Sequence, residues 1–373
     1  MLSKFSFYKT FIFLILVSFF SACSSEKIIL RVVNGYVSAV IETDPTPAAD
    51  DTADDPCVWI HPTDPSLSLI IGTDKDERSA GLRVYDLDGR QVSETEVEKA
   101  NNVDIRYGMS VSGSVIDVVT AGLRNSNSLG IYKMNPESRS LENISSRTIA
   151  LGLEAYGSCM YKSPKGVFYA IINDKEGNVE QYELFDAGNN KVDAKLVRTL
   201  KLKGQLEGCV ADDIKEILYI GEEEYGIWKF DANPGGSSKA TLVDTVGPNL
   251  YADVEGLTIY YSGEHTGYLI ASSQGDNSYA IYEREGDNKF IGRFAIADDG
   301  VIDETSGTDG IDVCNMNLGG KFSSGIFVVQ DGTNFNNSTS SNDNTNYKAV
   351  PWSDITKVFT PRLDMNTKYN VRK

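Results

Sequence analysis

Three kinds of segment follow one another in fixed order along this chain, at a period of roughly 50 residues, and that recurrence restricts the fold more than any single motif. The first kind is an acidic or Gly-marked entrance to an apolar run: Asp54-Asp55-Pro56-Cys57-Val58-Trp59, Asn102-Val103-Asp104-Ile105-Arg106-Tyr107, Tyr156-Gly157-Ser158-Cys159-Met160-Tyr161, Glu207-Gly208-Cys209-Val210-Ala211, Glu255-Gly256-Leu257-Thr258-Ile259-Tyr260 and Asp309-Gly310-Ile311-Asp312-Val313. The second is a buried-type run ending in a polar tip. Its six copies lead to Lys75, Arg124, Lys175-Glu176, Glu222-Glu223, Gln274 and Gln330-Asp331. The third alternates around an aromatic, as in Leu82-Arg83-Val84-Tyr85 and Gly226-Ile227-Trp228-Lys229-Phe230, with Tyr347-Lys348-Ala349-Val350-Pro351-Trp352 as a weaker last copy.

Alternation with period two, bounded by turn residues such as Asp88-Gly89 and Pro234-Gly235-Gly236, predicts antiparallel hairpins. No sustained helical periodicity competes with it. The expected fold is therefore all-β: one six-bladed β-propeller of four-stranded antiparallel blades around a central channel, spanning residues 46–360. Residues 361–373 read as a C-terminal tail.

Ahead of the repeat, Lys4 and Lys9 precede an apolar run from Phe11 to Phe20 that ends in Ser21-Ala22-Cys23-Ser24-Ser25. A charged start, a short apolar stretch and small residues at the end define a secretory signal, expected over residues 1–22. Ser21-Ala22-Cys23 resembles a bacterial lipobox, with Phe20 where Leu is usual, and this implies a lipid on Cys23. Residues 23–45 read as a tether. The expectation is a protein exported from a bacterial cell, lipid-anchored or else periplasmic or secreted, meeting the membrane only through Cys23. The formal charge of −18 argues against nucleic acid as a partner. Four further cysteines, Cys57, Cys159, Cys209 and Cys314, allow one or two disulfides in an exported chain. Their spacing does not choose among three complete pairings, and buried free thiols are the alternative.

In a propeller the innermost strand of each blade lines the channel, so equivalent positions form a ring at one mouth. Carboxylates of Asp55, Asp104, Glu207, Glu255 and Asp309 are expected to converge there. Packed carboxylates repel one another unless a cation sits among them, and oxygen donors without His or Cys suit Ca²⁺ or Mg²⁺. Whether the polar tips of the second strands reach this mouth or the opposite face is left open by the sequence.

The repeat carries a resemblance to the β-propeller phytases. It rests on the stretches at 51–56, 101–107, 174–184, 207–213, 222–230, 253–261 and 272–279, on Thr308-Asp309-Gly310-Ile311-Asp312-Val313 and on Gln330-Asp331-Gly332, and so covers nearly the whole mature chain. The resemblance implies calcium-dependent hydrolysis of phosphate monoesters of phytate, myo-inositol hexakisphosphate, taken as its calcium complex by a monomer. It implies several calcium ions, structural and catalytic. The structural set maps onto Asp55, the carbonyls of Pro56 and Val103, Asp331 and Asn334, with Asp55 and Asp331 clamping the first blade to the last. The catalytic set maps onto Glu207, Glu223, Asp253, Glu255 and Asp303, with Asp309 in the ring and Tyr156 beside it. Phosphate-binding cations map onto Lys75, Arg124 and Lys175, with Glu176 adjacent. Gly307 stands where the family has a further Asp, and Cys57 where it has Ala.

The residue types agree with that chemistry. Arg grips phosphate with two parallel hydrogen bonds and Lys supplies a point charge. Clustered Asp and Glu would hold metals that polarise phosphoryl oxygens and activate water, which favours in-line attack by calcium-bound water without a phosphoenzyme. Neither His61 nor His265 lies in an Arg-His-Gly-x-Arg context, and no Cys has Arg at the sixth position after it, so His- and Cys-nucleophile phosphatases are poor alternatives. A non-catalytic, calcium-stabilised propeller for adhesion or ligand capture is the rival reading, because a fold does not dictate activity.

Overall fold

In a computed structural model, which describes residues 33–372, six antiparallel sheets stand around a central channel. Blade 1 comprises Ala53–Trp59, Leu69–Asp74, Gly81–Tyr85 and Gln91–Glu96. Blade 2 runs from Ala100–Val111 to Ser140–Asn143, blade 3 from Ser158–Lys162 to Lys191–Lys201, blade 4 from Leu206–Asp212 to Thr241–Thr245, and blade 5 from Val254–Tyr261 to Phe290–Ile296. Blade 6 contains Ile311–Cys314, Ile326–Asp331 and Asn346–Pro351. The expected six-bladed, all-β architecture is the one observed.

Strands of the middle of each blade are buried on both faces, which explains their continuous apolar runs: Leu69–Asp74, Phe168–Asn173 and Ile326–Asp331 are buried throughout. Between blades the core is aromatic and branched-aliphatic, with Trp59, Tyr85, Tyr132 and Tyr347 among the fully buried side chains.

The ends of the chain depart from the sequence reading. Residues 1–22 and Cys23 lie outside the described residues. Part of the expected tether belongs to the propeller: Ile41–Glu42 pairs antiparallel with Asn346–Pro351 as the fourth strand of blade 6, and Gly35–Val37 adds a parallel fifth strand to blade 5. Such short strands have no room for periodicity, and they form because the outer edges of blades 5 and 6 offer unpaired backbone groups. The tail packs across the channel mouth opposite to the one discussed below. Arg372 pairs with Asp117 of blade 2 (2.8 Å), Asn366 N–H donates to Tyr260 Oη of blade 5, and Tyr369 stacks on Tyr261.

Among the described residues one disulfide forms, Cys159–Cys209, joining the inner strands of blades 3 and 4 with Cα atoms 5.7 Å apart. Cys57 and Cys314 are buried free thiols.

Candidate active site

A β-bulge repeated from blade to blade sets the geometry of the channel mouth. On blade 1 Ala53 pairs with Asp74 and the next pair is Pro56 with Gly72; blades 2, 4 and 5 repeat this with Ala100/Val103, Leu206/Cys209 and Val254/Leu257. Each bulge leaves two residues out of the ladder, and the first of the two defines a ring: Asp54, Asn101, Glu207 and Glu255, with Tyr156 and Asp309 in the matching places of blades 3 and 6. The second is glycine on blades 3 to 6 because adjacent blades nearly touch there. A Cβ on Gly208 would lie 2.0 Å from the Glu255 carbonyl oxygen, and one on Gly157 2.0 Å from that of Glu207.

This register corrects two members of the expected ring. Asp54 rather than Asp55 occupies the blade 1 place, and Asn101 rather than Asp104 that of blade 2. Asp104 lies deeper, where its carboxylate holds Arg106 (3.0 Å) and accepts from Met160 N–H (2.7 Å). Asp55 also faces the channel; it accepts from Val103 N–H at 3.0 Å, beside Pro56. Burial, only partly offset by that hydrogen bond, pushes its carboxyl well above the usual range.

The tips of the second strands return to this same mouth. Lys75 Nζ reaches Asp54 (2.7 Å), Asp309 (2.9 Å) and Asp51 (2.9 Å), and these carboxylates overcome burial to hold its proton firmly. Arg124 donates to Asn101 Oδ1 (3.0 Å), whose amide donates in turn to Glu207 (3.4 Å). Lys175 Nζ lies 4.2 Å from the centre of the Tyr156 ring, and the Arg124 guanidinium 5.2 Å from it. Glu176 is exposed at the same turn, its carbonyl taken by Lys201 Nζ. Lys75, Arg124 and Lys175 thus line one cleft of about 580 Å³, together with Arg78 and Lys99, which the sequence reading missed.

Opposite these cations the carboxylates gather. Glu207, Glu223 and Glu255 are all buried, and each offers an oxygen within 4.8 Å of the others. Burial raises the Glu207 carboxyl, with Asp54 adding to it; burial and then Glu207 raise that of Glu255; the same two causes bring Glu223 to about 7. Glu223 Oε1 and Glu255 Oε2 are buried without a hydrogen-bond partner among the described residues. Two orphaned oxygens in an oxygen-only donor set fit a hard divalent cation, which removes both the repulsion and the unmet acceptors. Asp253 borders the cluster, its charge acting on Glu223. Asp309 closes the ring, accepting from Gln274 (2.6 Å) and Lys75.

A second acidic group lies apart. The fully buried Lys348 ammonium contacts Asp303 and Asp331 (2.7 Å for the latter), and Asp331 accepts from Ser306 N–H (2.9 Å). Asn334 is buried nearby on the Asn344 carbonyl (2.8 Å), and Glu42 on the first blade 6 strand feels Lys348, Asp303 and Asp331. Asp303 therefore keeps company with Asp331 rather than with Glu207 and Glu255, and Asp55 and Asp331 stand in separate hydrogen-bond networks. Lys348 sat in the sequence as one polar residue of an alternating strand, with no signal that it is buried between two aspartates.

Fold and site together define a six-bladed propeller carrying a buried carboxylate pocket and, at the same channel mouth, a cleft lined by five cations and by Asp51, Asp76 and Glu77. The profile of the family described as Phytase matches residues 7–373, and the chain belongs to the phytase family and is an enzyme. It is 46% identical over 344 residues to the 3-phytase of Bacillus subtilis strain 168, covering 90% of this chain and 89% of that one. Enzyme and binding propeller were the two readings of the sequence, and the family membership decides for the enzyme. Similar solved structures are more distant. A functionally unknown protein from Desulfotomaculum acetoxidans DSM 771 is 13% identical, with 65% of this chain and 71% of that one covered at a TM-score of 0.45. The periplasmic gluconolactonase of Pseudomonas aeruginosa is 13% identical, with 60% and 65% covered at 0.40. Neither value bears on function.

Proposed function

We propose that this enzyme releases phosphate from phytate in a calcium-dependent reaction at the channel mouth. The observation that carries the reading is the facing of two groups across one opening: the buried Glu207, Glu223 and Glu255, and the cleft lined by Lys75, Arg124 and Lys175. In a chain of net charge −18, a polyanion is attracted only where cations and bound metal reverse the local field.

Each side chain then has a task. Lys75, held by Asp54 and Asp309, presents a fixed positive charge. Arg124, steadied by Asn101, grips phosphoryl oxygens, and Lys175 sits over Tyr156 as a further phosphate contact. Burial and the Glu207 charge keep the Tyr156 phenol protonated, so it remains a hydrogen-bond donor beside Glu207. Glu207, Glu223 and Glu255, with Asp253 and Asp309 at the edge, would hold calcium; Asp55 with the Pro56 and Val103 carbonyls, and Asp303, Asp331 and Asn334, are the candidates for structural ions. Calcium bound at the glutamates would supply charge for the phosphoryl oxygens and lower the pKa of water. Glu176 follows Lys175 at the same exposed turn.

Export, with a lipid on Cys23, is part of the same proposal, as is action as a monomer on the calcium complex of phytate. A disulfide between Cys159 and Cys209 supports an oxidising compartment. The test is phosphate release from phytate by the mature domain with calcium, with chelator, and for Glu207→Gln. The expected result is release that chelator and substitution each abolish; release indifferent to both would remove the calcium mechanism.

A further inference from the structure

Near the end of the second strand of three blades stands a polar side chain that ties its own blade to the next. On blade 1 the Thr73 hydroxyl accepts from Asp55 N–H (3.0 Å) and donates to the Asn101 carbonyl (2.5 Å). On blade 3 Asn173 accepts from Gly157 N–H (3.0 Å) and donates to the Glu207 carbonyl (2.9 Å). Gln330 holds this place on blade 6, where the next blade is blade 1. Its Oε1 accepts from Asp309 N–H (2.8 Å) and its Nε2 donates to the Ala53 carbonyl (3.2 Å). One methylene longer than Asn, it reaches the ring residue Asp309 itself, whereas Asn173 takes the N–H of the glycine that follows Tyr156.

The two backbone groups that Gln330 holds lie on either side of Lys75. The Ala53 carbonyl belongs to the peptide unit that leads into Asp54, and Lys75 Nζ sits between Asp54 Oδ1 (2.7 Å) and Asp309 Oδ2 (2.9 Å). The rest of Asp309 is arranged around that contact. Its Oδ1 accepts from Gln274 Nε2 (2.6 Å), which leaves Oδ2 to Lys75, and the next residue, Gly310, donates its N–H to the Asp54 carbonyl (2.9 Å). Gln330 is fully buried, so loss of its amide withdraws a hydrogen bond from each of two backbone groups in the interior.

We propose that Gln330 is a positioning residue for the reaction: by fixing the backbones of Asp54 and Asp309 against each other across the seam of blades 6 and 1, it sets where the Lys75 charge stands. Gln330 acts through these two aspartates and not on the substrate itself. The inference rests on the phytate reading above, in which Lys75 presents a fixed charge to a phosphoryl group. A reacting group misplaced by about 1 Å can slow a reaction about a hundredfold, so even a partial shift of Lys75 is readable in the rate.

Steady-state kinetics of the full chain on phytate in calcium test this with wild type, Gln330→Met and Gln330→Asn, together with crystal structures of the three. Met keeps the length of the side chain without its hydrogen bonds, and Asn keeps an amide one methylene too short to span both backbone groups. Gln330→Met is expected to lower kcat about tenfold with KM within about twofold, and Gln330→Asn to lower kcat by a smaller factor, again with KM held. In both variant crystals the Lys75 Nζ to Asp309 Oδ2 contact is expected to open beyond about 3.5 Å. A variant that melts earlier but keeps its kcat, or one in which that contact has not moved, overturns the inference while leaving the phytase reading standing. If Gln330→Met does not fold, Gln330→Asn decides by the same two readings. A wild-type chain that leaves phytate intact overturns the phytate reading, and this inference with it.

Discussion

Lys75 Nζ lies 2.7 Å from Asp54 Oδ1, and Asp54 is wholly buried while its other oxygen, Oδ2, has no hydrogen-bond partner among the described residues. Removing one member of such a pair leaves a buried charge uncompensated, which costs about 3 kcal/mol or more. Lys75→Met is therefore expected to lower the unfolding free energy in urea by about that amount, and Asp54→Asn added to it to restore a large part. A double variant no more stable than Lys75→Met would show that the pair is not coupled.

Burial and the Glu207 charge bring Glu223 from an ordinary value of 4.5 to about 7, and the carboxyls of Glu207 and Glu255 also move up. Without metal, the folded chain then keeps a proton that the unfolded chain releases. Stability of the chelated protein should fall as pH rises from about 5 to about 8, by about 3 kcal/mol from Glu223 alone. With calcium in excess the trend should reverse, because deprotonated glutamates bind the ion and protons no longer compete. Melting temperatures across that range, with EGTA and with calcium, check both signs. The calcium concentration for half-maximal activity should fall over the same interval.

Asn173 is fully buried at the junction of blades 3 and 4. Its Oδ1 accepts from Gly157 N–H (3.0 Å) and its Nδ2 donates to the Glu207 carbonyl (2.9 Å), so one side chain ties the segment carrying Tyr156 to the strand carrying Glu207. Asn173→Ala leaves two buried backbone groups unmet, at about 2 kcal/mol. The expected kinetic effect is a kcat reduced about tenfold with KM nearly unchanged, the mark of misplaced reacting groups. A loss confined to stability, with kcat intact, would reduce Asn173 to a structural part.

Cys159–Cys209 closes a loop with a sequence separation of 50. The cross-link restricts the unfolded chain, and its removal in a Cys159→Ser/Cys209→Ser variant should lower stability by about 3 kcal/mol. Dithiothreitol should reproduce the loss in the wild type and add nothing in the variant; an equal Tm for wild type with and without reductant argues against the bond.

The blade count was readable from the sequence because each inner strand opens on a polar or aromatic residue ahead of an apolar run, with glycine between them on blades 3 to 6, as at Glu207-Gly208 and Glu255-Gly256. The register was not, because blade 1 spends two aspartates on its bulge and blade 2 two asparagines. Nothing local distinguishes Asp54 from Asp55, and only the partner across the bulge does. Lys75, Arg124 and Lys175 were found because they close runs of matching length. Lys99 was missed because it precedes its strand, and Ile41–Glu42 because two residues carry no pattern. The grouping of Asp303 with Asp331 depends on Lys348, a contact 45 residues away in the chain.

Blade 6 takes three strands from near the carboxyl end and its outermost strand, Ile41–Glu42, from near the amino end. On a ribosome the two are separated by almost the whole time of synthesis. Five blades can assemble as they emerge, but the circle stays open, with the edge that awaits Ile41–Glu42 not yet made, until Asn346–Pro351 is released. The contact of Lys75 with Asp309 across that seam therefore arrives in one step, once the chain is complete, rather than blade by blade.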